Sequence, residues 1–173
     1  SFGIDHMKYV MDKNQDLRLS GIVTEAASTK YAETYLNETI RVEPDFLTFE
    51  HTDGFNLCTF EVDYCQPILQ WIGLNLDWYN GAGALWVVTR TDVRVFGDGL
   101  NNDFHVAGYS LSGKSGLRLS FLKRFFIQVE TKVGYASLPS VLIKNDAPEI
   151  ADHNLVFWEK MRALGCRFNF KKR

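Results

Sequence analysis

Residues 104–138, FHVAGYSLSGKSGLRLSFLKRFFIQVETKVGYASLP, constrain the fold more than any other stretch. Ala107, Tyr109, Leu111, Leu117, Leu119 and Phe121 share one face of the first run, while Ser110, Ser112, Lys114, Gly116, Arg118 and Ser120 share the other. The second run sets Phe125, Ile127, Val129, Val133 and Tyr135 against Gln128, Glu130, Lys132, Gly134 and Ala136. A period of two sustained this long is a strand signal, and the basic Leu122-Lys123-Arg124 connection makes it a hairpin. An odd loop keeps the faces matched. A five-residue loop, Leu122 to Phe126, would place Phe121 opposite Ile127 and Arg118 opposite Glu130.

Residues 104–122 would extend about 60 Å at ~3.3 Å per residue, far beyond the usual strand of five or six residues. Such strands, apolar on one side and small or charged on the other, suit a barrel. The apolar side then faces either lipid or an internal ligand cavity.

The same alternation marks the rest of the chain. Strands are predicted at 2–12, 17–25, 42–65, 69–79, 84–96, 104–122, 125–138 and 154–170, with turns at Gln66-Pro67 and Asn80-Gly81-Ala82-Gly83. Residues 26–41 read as a loop with a turn or two of helix near Ser28–Leu36. Asp53-Gly54 is a hairpin signal. The apolar face of Leu47, Phe49, Phe55 and Leu57 nevertheless continues across it, so one bulged strand fits, with irregularities near Gly54 and Cys58. Eight strands follow; a split at Asp53-Gly54 makes nine and calls for a further strand before Ser1. The expected fold is all-β: a single domain, residues 1–173, forming an antiparallel up-and-down transmembrane β-barrel of about eight strands.

Composition narrows the function classes. A chain of 173 residues with net charge −2 has no basic field for nucleic acid. No apolar run reaches the length of a membrane helix, but barrel strands are only half apolar and escape that test. Aromatic residues make up 14% of the chain, and Trp78, Tyr109 and Tyr135 lie toward the ends of apolar faces, as an interfacial girdle would place them. Cys58, Cys65 and Cys166 have no metal spacing and read as free thiols. No metal or cofactor is expected.

Acids and bases alternate along the polar faces. Glu61, Asp63, Asp77, Asp92 and Glu130 stand against Arg90, Arg94, Lys114, Arg118, Lys132 and Arg167. Inside a narrow barrel such charges must pair, so Arg90, Asp92, Arg94, Lys114, Arg118, Glu130, Lys132 and Arg167 form the expected lumen network. Gly and Ser between them suit a crowded interior.

The last strand ends Gly165-Cys166-Arg167-Phe168-Asn169-Phe170. Gly165, Phe168 and Phe170 resemble the C-terminal assembly signal of bacterial outer-membrane barrels, although Lys171-Lys172-Arg173 follows where those chains end on Phe. The resemblance covers six residues and implies the barrel-assembly machinery as a partner and the bacterial outer membrane as location. GIDHMKYV (3–10) and FEHTDGFN (49–56) are loosely similar to segments of uncharacterised barrel proteins of Bacteroidota, which carries no activity with it.

Three functions are therefore open. The first is a structural or accessory barrel with a plugged, ion-paired lumen. It would contact outer-membrane lipid and lipopolysaccharide, within a larger outer-membrane complex. The second is a lipid A- or lipid-modifying enzyme, for which His6, Glu50 and Asp53 are the candidate catalytic residues because acids and histidine concentrate there. Neither GxSxG nor HExxH is present, and neither His105-Val106-Ala107 nor His153-Asn154-Leu155 matches the His-x-Ser pair of lipid A deacylases. The third is a soluble lipocalin-like barrel with its apolar face inside. No lipocalin Gly-x-Trp pattern lies near the first strand.

Overall fold

A computed structural model describes residues 1–99, 101, 103–143 and 150–167. The described chain is all-β and antiparallel. Its strands are β1 (Phe2–Val10), β2 (Gln15–Val23), β3 (Glu33–Val42), β4 (Leu47–Trp71), β5 (Leu74–Val95), β6 (Asp98–Gly99), β7 (His105–Phe121), β8 (Phe125–Leu142) and β9 (Ile150–Cys166). One sheet runs β1-β4-β5-β7-β8-β9, with β6 against the end of β5, while β2 and β3 make a separate hairpin.

The sheet is rolled. Lys132 of β8 reaches Asp5 of β1 at 2.5 Å, and the Tyr9 ring of β1 stacks on His153 of β9 at 5.2 Å. First and last strands thus face each other, although among the described residues they exchange no backbone pairing. Connections are unequal at the two ends. Ile72-Gly73 and Leu122-Lys123-Arg124 are the short turns at one end, where Cys166 also lies, whereas Ser1 meets Glu61 halfway along β4. At the other end β1 and β4 are joined through 11–46, and the ends of β5 and β7 and of β8 and β9 are separated by nine and seven residues in sequence.

Several sequence expectations change. Residues 33–42 form a strand, where a loop with a turn or two of helix is expected. Thr34, Tyr35, Thr39, Ile40 and Val42 favour extended backbone, and pairing with β2 from Gln15↔Val42 to Val23↔Glu33 supplies the hydrogen bonds. Asp53-Gly54 is indeed inside one strand, whose register shifts between Glu50 and Gly54; the second irregularity falls at Pro67/Leu69 rather than Cys58. Gln66-Pro67 does not turn the chain, and neither does Asn80–Gly83. The expected strands 69–79 and 84–96 become the end of β4 and one unbroken β5. The β7–β8 loop has three residues, with Leu122 and Lys123 at positive φ, so Phe121 pairs with Phe125 and Arg118 with Gln128. All three thiols are free. In place of eight strands, the described sheet has six long ones and the short β6.

Side-chain alternation gives the roll an inside and an outside. Along β8, Gln128, Glu130, Lys132, Gly134 and Ala136 are buried, whereas Ile127, Val129, Thr131, Val133 and Tyr135 are exposed. All four tryptophans, Trp71, Trp78, Trp86 and Trp158, are exposed on the outer face. Charges inside and apolar groups outside are the reverse of a lipocalin-like barrel. Toward the long-connection end the interior becomes apolar, with Phe55, Leu57, Val87, Leu138, Val141 and Phe157 in one cluster.

The β2–β3 excursion is anchored where it rejoins β4. Tyr31 packs edge-on against Phe46, which meets Phe96 beyond β5, both at 4.9 Å. Lys30 Nζ donates to Glu43 at 2.6 Å and Asp45 at 2.7 Å, and the Tyr31 hydroxyl donates to Asp45 at 2.8 Å. The hydrogen bond from Lys30 holds the Asp45 carboxyl below its usual 3.8, and Asp45 and Glu43 together hold Lys30 above its usual 10.5. A lowered acid contributes stability above its unfolded value and loses it as pH falls through the folded one. A raised lysine contributes below 10.5 and loses its part as pH rises beyond. The anchor should therefore hold across neutral pH and release in acid below the ordinary carboxylate range. An NMR titration of the backbone amides of 28–32 should show that step, and Lys30→Met should remove it.

Candidate functional site

The charged half of the interior is built by strand parity. On β4, β7 and β8 the positions Glu61, Lys114 and Lys132 all point inward, on strands whose opposite faces are apolar. Lys114 Nζ lies 2.6 Å from Glu61 Oε2 and 3.0 Å from Asp63 Oδ1. Lys132 Nζ lies 2.8 Å from Glu61 Oε1 and 2.5 Å from Asp5 Oδ2. Glu61 thus bridges two lysines, and each lysine holds a second carboxylate. Lys132 is only 6% exposed and Glu61 9%. At that depth a charge is tolerated because it is paired.

β5 passes between these partners and must not block them. Gly81 and Gly83 meet this need. A Cβ at Gly81 would strike the Asp63 carboxylate and come within 2.8 Å of Lys114 Cε, and one at Gly83 would sit 2.9 Å from Glu61 Cγ. These glycines, read from sequence as a turn, leave the room in which the lysine crosses β5 to reach Glu61.

A second network lies beside the first. The buried Tyr79 hydroxyl donates to Glu130 Oε2 at 2.7 Å, and Gln128 Nε2 donates to the same oxygen at 3.3 Å. Arg118 Nε donates to Gln128 Oε1 at 2.9 Å, its guanidinium lying over the rings of Tyr79 and Phe126. Arg118 therefore reaches Glu130 through Gln128 and not directly. Between the two networks is a cavity of about 280 Å³. Chemically this is a cross-linked polar network. Glu61 and its two lysines satisfy one another's charge, Glu130 is held by neutral donors, and the apolar cluster lies beyond toward the long-connection end.

A histidine pair closes the far side. His51, fully buried, has its Nδ1 2.8 Å from Thr91 Oγ1 and its Nε2 3.0 Å from His153 Nε2, so one ring donates the proton that the other accepts. Tyr9 and Phe49 pack on the same rings. Among the described residues no group of three or more His, Cys, Asp or Glu is placed to hold a metal ion.

The residues singled out from sequence divide accordingly. Lys114, Arg118, Glu130 and Lys132 do meet inside. Arg90, Asp92 and Arg94 stand on the opposite face of β5 from the buried Thr89, Thr91 and Val93; Arg94 pairs with Asp92 of its own strand at 2.8 Å. Arg167 is exposed beyond β9, its backbone N–H donating to Arg124 O at 2.6 Å. His6 faces outward and its Nδ1 meets Asn56 Oδ1 at 2.9 Å, Glu50 pairs in register with Val10, and Asp53 is exposed in the β4 irregularity. No described contact gathers these three into one site. Gly165 leaves room for the Phe126 ring, while Phe168 and Phe170 lie outside the described residues. Missed from sequence were the contributions of Asp5, Tyr79, Gln128 and the His51–His153 pair. Only the odd-numbered alternation of β1 and β5 could have hinted at Asp5 and Tyr79.

No protein-family model matches the chain, and neither does any curated protein or solved structure.

Proposed function

We propose that this chain is a membrane-spanning β-barrel element of a bacterial outer membrane, structural or accessory in role, whose interior is plugged by its own ion pairs. One observation carries the reading: paired charges are buried inside the roll while the tryptophans and most large apolar residues of the strands face outward. In water that arrangement would waste the hydrophobic driving force; in lipid it is the low-energy one. Trp78 and Trp86 lie eight residues apart on β5, roughly 27 Å at ~3.4 Å per residue, close to the apolar band of such barrels before tilt. Short turns at one end and longer connections at the other match the periplasmic and external sides of outer-membrane barrels.

On this reading the partners are outer-membrane lipid and lipopolysaccharide, the barrel-assembly machinery acting on the C-terminal strand, and neighbours in a larger outer-membrane complex. A lipid-modifying role would need His6, Glu50 and Asp53 to share a site, and no observation favours it. Extraction tests the proposal. The protein should require detergent to leave the membrane fraction, and planar-bilayer recording should show no steady large conductance. A monodisperse protein in plain buffer would overturn the membrane reading, and a stable open pore would overturn the plug.

A further inference from the structure

We infer that the outer face carries a specific site for an anionic glycerophospholipid, between Trp78 and Trp158 and under Lys160 and Arg162. The inference rests on the membrane reading and deepens it. A trough of about 670 Å³ crosses the outer face from β5 to β9. Trp78 and Trp158 line it, and Leu117 and Val129 contribute to its floor. Both indoles are fixed. Trp78 Nε1–H donates to Ser115 Oγ at 2.9 Å and Trp158 Nε1–H donates to Thr131 Oγ1 at 2.6 Å. With their N–H groups used, the rings offer apolar surface to an acyl chain. The floor crosses the Gly116–Glu130 register pair, whose carboxylate turns inward to Tyr79.

The cations supply the second half of the site. Lys160 and Arg162 alternate with Met161 and share the outer face of β9, in register with Thr131 and Val129. Lys160 Nζ lies 4.2 Å from the Trp158 ring centre, and both cations are exposed. Among the described residues neither has a carboxylate partner. Charges on a lipid-facing surface are tolerated near the headgroups and become costly toward the midplane. Arg162 is four residues from Cys166, near the short-turn end, where a headgroup phosphate of that leaflet would lie. Arginine receives such a phosphate through paired N–H groups, and lysine adds a point charge. A net anionic headgroup is favoured because a zwitterionic one brings its own cation to the same two side chains.

Native mass spectrometry of the detergent-solubilised full chain tests this, with phosphatidylglycerol and phosphatidylcholine of identical acyl chains as probes. The wild type should retain phosphatidylglycerol in preference. Each of Lys160→Gln and Arg162→Gln should reduce the preference about fivefold, the order expected for one basic residue at an anionic lipid surface. Flotation with phosphatidylcholine vesicles serves as the folding control, and both variants should float as the wild type does. A wild type that floats but shows no preference overturns the site and leaves the membrane reading standing. A wild type that floats with no vesicle overturns both. Loss of preference in variants that still float supports the site.

Discussion

Replacing Glu61 by alanine should cost about 3–5 kcal/mol of stability, the loss expected when one partner of a buried ion network is removed. Among the described residues Glu61 is the one carboxylate that touches both Lys114 and Lys132, and it joins β4 to two strands lying beyond β5. Its removal leaves two buried ammonium groups each short of a partner. Urea unfolding in a defined micelle, followed by tryptophan fluorescence, measures the loss. Arg41→Ala, which breaks the exposed 3.5 Å pair with Asp16, is the control and should change stability by about 0–1 kcal/mol. Glu130→Ala should fall below Glu61→Ala, because Glu130 is held by Tyr79 and Gln128 rather than by a cation. If Glu61→Ala costs no more than Arg41→Ala, the charged face is not inside.

Phe55→Ala should cost a similar amount, about 3–5 kcal/mol, through lost burial and the cavity left behind. Phe55 is 1% exposed in the apolar half of the interior, and its ring stacks on His51 at 5.4 Å. The residues around it come from β4, β5, β7, β8 and β9, so no single side chain can swing in to fill the gap. Ile72 is the counterexample: equally apolar but 98% exposed in the β4–β5 turn, its replacement by alanine should stay within about 0.5 kcal/mol. The same unfolding measurement compares them. A larger loss for Ile72→Ala than for Phe55→Ala would mean that the sheet is rolled the other way.

Which face of β8, and of β7 from Tyr109 onward, carries which residues was legible in the sequence. Ala107 is instead buried, where the register shifts between Val87 and Val88. The partners across the hairpin were not legible. The reason is arithmetic. Loops of three and five residues are both odd, so either keeps the faces matched, yet they differ by two in register and move Arg118 from Glu130 to Gln128. The misplacement of Arg90, Asp92 and Arg94 has one cause. A turn at Asn80–Gly83 would reset the phase of the strand, whereas the unbroken β5 buries Tyr79, Val87, Thr89, Thr91 and Val93, all odd-numbered. Turn-forming residues there serve instead as spaces for Lys114 and Glu61. Pro67 misled for a related reason. Pro67 sits beside a register shift with β5, and among the described residues no strand pairs with its other side, so a missing N–H is tolerated there. Contacts such as Asp5–Lys132 and His51–His153 join residues more than a hundred positions apart, and alternation along a strand carries no information about them.

Where β1 meets β9, the molecule resembles a scroll more than a pipe. Elsewhere around the roll the spacing of neighbours is set by backbone hydrogen bonds, which fix it near 4.8 Å whatever the side chains do. Along this one line it is set by the reach of a lysine to Asp5 and by the thickness of the stacked Tyr9 and His153 rings. The distance across this seam is therefore set by side chains, Asp5 and Tyr9 of β1 against Lys132 of β8 and His153 of β9. These contacts cross the one line where no backbone pairing is described, so losing them would break no rung of the described sheet.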